Sequence, residues 1–156
     1  MGGYTASAST SNTIDYVTIA NTGNATDFGN LTEAQSQVAS AHSTTRGIRF
    51  GGLTNTTTID YITMDTAGNA TDFGDLAQSN PANEMWVVHN GTYAWMHQGY
   101  SFGIKYKITM ATAANATVIA NNSIAAPGHP FGGDHGSDVL DNIYNSVGKG
   151  WIAATG

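Results

Sequence analysis

Hydrophobic and polar positions alternate along this chain in short runs separated by Gly, Asn and Thr. "TIDYVTIA", residues 13–20, puts Asp15, Val17 and Ile19 on one side and Ile14, Tyr16 and Thr18 on the other, the two-residue period of a strand. It is rich in β-branched and aromatic residues, and both of its faces carry bulk, which predicts a strand sandwiched between neighbours. "NTGNAT" then supplies Gly23 and Asn24, residues that tolerate positive φ and suit a hairpin turn, and "ATDFGNL" returns as the next strand. "QVASAH" and "RGIRF" follow, split by the turn signal "STT". The longest competitor for a helix is "LTEAQSQVASAH", whose Ser, Thr and Gln content weakens it.

The same pattern recurs. "TIDYVTIANTGNATDFGNL" at 13–31 matches "TIDYITMDTAGNATDFGDL" at 58–76 at 13 of 19 positions, an offset of 45. A third, degraded copy, "IKYKITMATAANAT", places its "NAT" at Asn115, after Asn24 and Asn69. One extra residue, assigned to Lys107, predicts a bulge in that strand. "RGIRFGG" at 46–52 has counterparts in "YAWMHQG" at 93–99 and, more loosely, "KGWIAATG" at 149–156, and "MGGYT" at the start matches "FGGLT" at 50–54. The chain therefore divides into three units, about 1–49, 50–98 and 99–156, forming one repeat domain over 1–156, with an insertion around "SIAAPGHPFGGDHGSD". In the second unit "MWVVH" and "TYAWMH", divided by "NGT", take the place of "QVASAH" and "RGIRF". Four short strands per unit of about 46 residues is the arithmetic of a propeller blade, so the expected fold class is all-β, with β-propeller blades.

Charge narrows the function classes. Only 10% of residues are charged, the net charge is -6, and Arg46, Arg49, Lys105, Lys107 and Lys149 are the only fixed cations. No basic stripe exists for phosphate contacts, so nucleic acid is not an expected partner. With no cysteine, neither disulfides nor thiolate chemistry can occur. "MGGYTASAST" lacks the basic and apolar regions of a signal peptide, and no run approaches the ~20 apolar residues of a membrane span. A soluble chain made in the cytoplasm, without membrane insertion, is expected.

Candidate chemistry is sparse. His129, Asp134, His135, Asp138 and Asp141 cluster in "GHPFGGDHGSDVLD", and the first four are weak candidate metal ligands, although their spacing matches no standard zinc or calcium loop and a long polar surface loop is the favoured explanation. His42 and His89 recur at corresponding positions and read as structural groups, whereas His97 has no equivalent and is expected to be exposed. Asp15 with Asp27 and Asp60 with Asp72 could meet across a hairpin as the carboxylate pair of a glycosidase, but their repetition favours turn and strand-edge hydrogen bonding. There is no nucleophile elbow and no phosphate loop, so no catalytic residue and no cofactor is expected. Trp95 and Trp151 align with Ile48 and are expected in the core. Trp86, Tyr93, His97 and Tyr100 remain as candidate glycan- or receptor-contacting residues. Seven N-x-Ser/Thr sequons, including Asn24, Asn69 and Asn115, follow from the Asn- and Thr-rich composition.

"SQVASAHSTTRGIRFGGLTNTTTIDYITMDTAGNATDFGDL" resembles a kelch unit. Gly2-Gly3 and Gly51-Gly52 stand where kelch repeats carry a diglycine, and Phe28 and Phe73 stand at the closing aromatic; the third unit departs with Gly99-Tyr100. The phrase "IDYVTIANTGNATDFGNL" followed by "RGIRFGG" is similar to repeats of tail-fibre and virion structural proteins of viruses that infect marine cyanobacteria and other bacteria. The resemblance implies a non-enzymatic bacteriophage structural or adhesion protein, located in the virion and able to contact host glycans. A stand-alone oligomeric lectin and a glycan-cleaving propeller enzyme are the alternatives. Three blades fall short of a ring, which predicts edge partners: a homodimer closing a six-bladed ring, another oligomer, or other virion subunits.

Overall fold

The computed structural model describes residues 1–6, 9–53, 56–77, 85–97 and 104–121. Every regular element among them is a strand, arranged in three antiparallel sheets of three or four strands, so the fold is all-β. Sheet 1 holds β1 (Gly3–Tyr4), β2 (Thr10–Tyr16) and β3 (Thr26–Gln35) in that order. Sheet 2 is a meander of β4 (Ala39–His42), β5 (Arg46–Phe50), β6 (Thr58–Thr63) and β7 (Thr71–Asp75). Sheet 3 repeats that meander with β8 (Trp86–His89), β9 (Tyr93–His97), β10 (Ile104–Thr109) and β11 (Thr117–Asn121). The helix competitor resolves into the end of β3 and all of β4.

Sheet 2 lies between the other two. Its Ile48, Phe50, Ile59 and Phe73 pack with Met96, Ile104, Tyr106 and Ile108 of sheet 3 in the main core. A smaller core joins Ile14, Phe28 and Leu31 of sheet 1 to Ile62 and Ala70 of sheet 2. Each fully buried Ile or Phe contributes about 1.5–3 kcal/mol, and the two-residue period sends alternate residues of β5 and β6 to opposite cores. "TIDYIT" is thus covered on both faces. The copy at 13–20, whose bulk on both faces predicts a sandwiched strand, is not: Tyr16, Val17 and Ile19 are exposed.

Register accounts for the closing aromatic. The partners of Ile14 and Asp15 jump from Gly29 to Asp27, and those of Ile59 and Asp60 from Gly74 to Asp72. Phe28 and Phe73 are therefore the extra residues of β-bulges, and each receives a tyrosine edge-on, Tyr16 and Tyr61, with ring centroids 6.0 Å apart in both cases. The bulge expected at Lys107 does not form: β10 pairs with β9 without a break from Lys105 to Thr109. The irregularity lies on β11, where Lys105 and Tyr106 face Ala120 and Val118 and skip Ile119, the position equivalent to Phe73. The insertion precedes the strand, and β10 and β11 match β6 and β7 at a constant offset of 46.

The "NAT" phrases join one sheet to the next. Asn69 Oδ1 accepts the Asn30 N–H at 3.0 Å, while the Ala70 N–H donates to the Asn30 carbonyl at 2.8 Å. Asn115 Oδ1 likewise accepts the Asp75 N–H at 3.0 Å, and the Ala116 N–H donates to the Asp75 carbonyl at 2.8 Å. The residue before each docked position is a glycine. A Cβ on Gly29 would run into the Gly68 carbonyl, and one on Gly74 would lie 2.6 Å from the Ala114 carbonyl oxygen. Their φ values of 148° and 140° also exclude an ordinary side chain.

Candidate functional site

The face of sheet 3 turned away from the main core collects most of the candidate binding residues. Ala94 and Met96 enter the main core, so Tyr93, Trp95 and His97 point to the opposite side of β9. Trp86 is the cross-strand partner of His97 and stacks on it, with centroids 5.3 Å apart and rings inclined at 29°. Tyr93 leans on Trp95 at 5.9 Å, and the Lys107 ammonium sits 3.9 Å from the Tyr93 centroid and 5.4 Å from that of Trp95. Lys105 pairs with His97 across β9 and β10 and completes the face. Trp86, Tyr93, His97, Lys105 and Lys107 are half-buried and Trp95 is buried, so His97 is not the exposed residue its isolation in the sequence suggests. Burial first, and then the positive charge of Lys105, hold the His97 imidazole below its ordinary pKa of 6.5. The face therefore combines two lysine side chains, an imidazole held toward its neutral form and flat rings.

The equivalent face of sheet 2 is built for packing. Phe50, Ile59 and Tyr61 stand where sheet 3 has His97, Lys105 and Lys107, and they lie in or against the main core. One interaction survives with its partners exchanged: Arg46 lies 4.3 Å from the Tyr61 centroid, and at the same two positions sheet 3 places Tyr93 and Lys107. The cation has moved to the neighbouring strand and the ring has taken its place. Arg46 also donates to the Met110 carbonyl at 3.1 Å, tying the sheets together.

The repeated carboxylates have structural partners in sheet 2. Asp60 and Asp72 face each other in register, but Asp60 is fully buried in an ion pair with Arg49 and accepts the Thr32 hydroxyl of sheet 1 at 2.6 Å. Arg49 donates a second bond to the Gly51 carbonyl at 2.6 Å, while its Nε has no partner. Asp72 accepts the Gly74 N–H at 2.9 Å. Close by, Glu33 accepts the Thr58 hydroxyl at 2.6 Å and the Gln35 amide at 3.1 Å. Burial alone would raise its pKa, but these bonds, one from Thr56 and the Arg49 charge outweigh it and leave the carboxyl below 4.5. In sheet 3 the positions of Arg49 and Asp60 are held by Met96 and Tyr106, again paired across the strands.

Of the remaining sequence candidates, Tyr100, Trp151 and the four weak metal ligands His129, Asp134, His135 and Asp138 lie outside the described residues. No group of three metal-ligating side chains occurs among the described residues, and no helix among them is long and apolar enough to cross a membrane. His42 and His89 meet between β4 and β8, with ring centroids 4.6 Å apart. Sequence reasoning missed the docking role of Asn69 and Asn115, although the recurrence of "NAT" through a drifting repeat was the signal for it. It also missed Lys105 and Lys107 as part of the aromatic face, which the constant offset of 46 reveals. No family model matches this chain, and no curated protein matches it.

Proposed function

We propose that the chain is a non-enzymatic structural and adhesion protein whose outer sheet 3 face, built on Trp86, Tyr93, His97, Lys105 and Lys107, binds saccharides that carry an acidic group. The observation that carries this reading is the replacement of Phe50, Ile59 and Tyr61 by His97, Lys105 and Lys107 between two otherwise equivalent faces. Flat rings cover the apolar faces of sugars, and the two ammoniums are a local excess of positive charge on a chain of net charge -6. The three sheets are read as kelch-like propeller blades, since sheets 2 and 3 share one meander and each sheet docks on the next. The setting is a bacteriophage virion, at a tail fibre or capsid surface, and that part rests on the similarity of the repeated phrase alone.

A stand-alone lectin would use the same face. A glycan-cleaving enzyme is less well supported, because the buried Asp60 is engaged by Arg49 and Thr32 and so is poorly placed to attack or protonate a sugar. The test is a panel of neutral and acidic oligosaccharides presented to the wild type and to Trp86→Ala and Lys105→Ala. Retention of acidic members that both substitutions weaken by tenfold or more is expected. Binding that neither substitution affects would overturn the assignment of the face.

A further inference from the structure

β4 and β8 open the two meanders and lie against one another where sheets 2 and 3 meet. Their ladders place His42 opposite Gly47 and His89 opposite Ala94, so the two histidines hold the same position in successive units. Between "ASAH" and "WVVH" every residue but that histidine has changed. The two imidazoles meet with centroids 4.6 Å apart and planes inclined at 70°. His89 is buried and His42 is exposed, and the His42 imidazole makes no hydrogen bond or ion pair among the described residues. Solvent therefore reaches the contact from the His42 side, where the ring nitrogens are open to a ligand.

We infer that His42 and His89 are the protein ligands of a divalent transition-metal site that clips β4 to β8, with water in the remaining positions. Neutral imidazole binds Ni2+, Cu2+ and Zn2+ through either nitrogen. An ion bonded to one nitrogen of each ring at about 2.0–2.1 Å stands about 3.2 Å from each centroid. Centroids 4.6 Å apart then subtend about 90° at the ion, whereas a tetrahedral angle needs about 5.2 Å. A right angle is the cis angle of square and octahedral complexes, which selects Ni2+ or Cu2+ over Zn2+. The 70° inclination avoids face-to-face stacking, which would hold the nitrogen lone pairs parallel and keep them from a shared ion. A net charge of -6 favours a cation over an anion. Packing alone does not require histidine here: along the same strands Ala39 gives way to Trp86 and Ser40 to Val87. Neither histidine belongs to the aromatic face of sheet 3, so the inference is independent of what that face binds.

The test is a Ni2+ titration of the isotopically labelled full chain, read by NMR on the histidine ring signals and by thermal melting. The unpaired electrons of Ni2+ broaden the signals of the groups that bind it. The His42 and His89 rings are expected to broaden first, ahead of His97, His129 and His135. At a Ni2+ concentration about tenfold above the dissociation constant, the melting temperature should rise by about 3 °C or more, since an ion that binds only the folded state stabilises it. His42→Ala changes an exposed residue and should abolish both the rise and the broadening of His89. His129→Asn/His135→Asn removes the competing imidazoles of the third unit and should leave both effects in place. Broadening that begins at His129 and His135 while His42 and His89 stay sharp would overturn the site. So would effects that survive His42→Ala or vanish with His129 and His135, or the absence of any effect at millimolar Ni2+.

Discussion

Replacing Asp60 by Val tests the polar centre of the junction between sheets 1 and 2. The substitution leaves the Arg49 guanidinium fully buried, with the Gly51 carbonyl as its remaining hydrogen-bond acceptor, and strips the Thr32 hydroxyl of its acceptor. Breaking a buried ion pair from one side costs about 3–5 kcal/mol, since the orphaned charge keeps its desolvation penalty. Glu33, whose carboxyl already feels the Arg49 charge, recovers part of this and places the expected loss near the lower end, about 3 kcal/mol. The double variant Arg49→Met/Asp60→Val removes both charges and imitates sheet 3, where Met96 and Tyr106 do the same job without ions. It is expected to be more stable than Asp60→Val alone, with a coupling energy of about 2 kcal/mol or more. Urea denaturation of the wild type, both single variants and the double variant gives the cycle. Simple additivity of the two single losses would refute the argument that the ion pair acts as one unit.

Three further outcomes follow from the geometry. Gly74→Ala should cost about 2–4 kcal/mol, from a side chain forced on φ 140° and a Cβ overlapping the Ala114 backbone, whereas Gly23→Ala, with open space around it, should stay within about 0.5 kcal/mol; thermal melts of the pair decide. Acid should weaken the fold in two stages: His97 has a depressed folded pKa, so its contribution is complete above 6.5 and falls away below it, and Glu33 behaves likewise below 4.5. Stability measured against pH in His97→Gln should lose the first stage and keep the second. Lys107→Ala, which removes the cation over Tyr93, should cost only about 0.5–1 kcal/mol of stability but weaken binding of an acidic saccharide tenfold or more.

Strands and hairpins were legible because the alternation in "TIDYIT" and the Gly-Asn turns are local signals. The grouping of strands into sheets was less so. A periodic sequence can be cut at any phase, and sheets 2 and 3 straddle the unit boundaries near 49 and 98, because pairing joins β4–β5 of one unit to β6–β7 of the next. The bulge went to the wrong strand because a single extra residue was placed by inspection within "IKYKIT", where backbone pairing shows none. Trp95 was correctly expected in a buried position, at 1% exposure, since it aligns with Ile48. Lys105 was read only as a charge to be counted, and Lys107 only as a charge and as the extra residue of a bulge. Their meaning depends on which face of which sheet they occupy, and that becomes visible once Ile59 and Tyr61 are known to pack against a neighbour.

The most direct test of the functional reading is an NMR titration of the isotopically labelled protein with an acidic oligosaccharide, following the indole, imidazole and lysine side-chain signals. Saturable shifts concentrated on Trp86, Tyr93, His97, Lys105 and Lys107, weakened by salt and absent with a neutral analogue, are the predicted result. Shifts centred elsewhere, no shift with any acidic saccharide tested, or cleavage of the sugar during the titration would contradict the account.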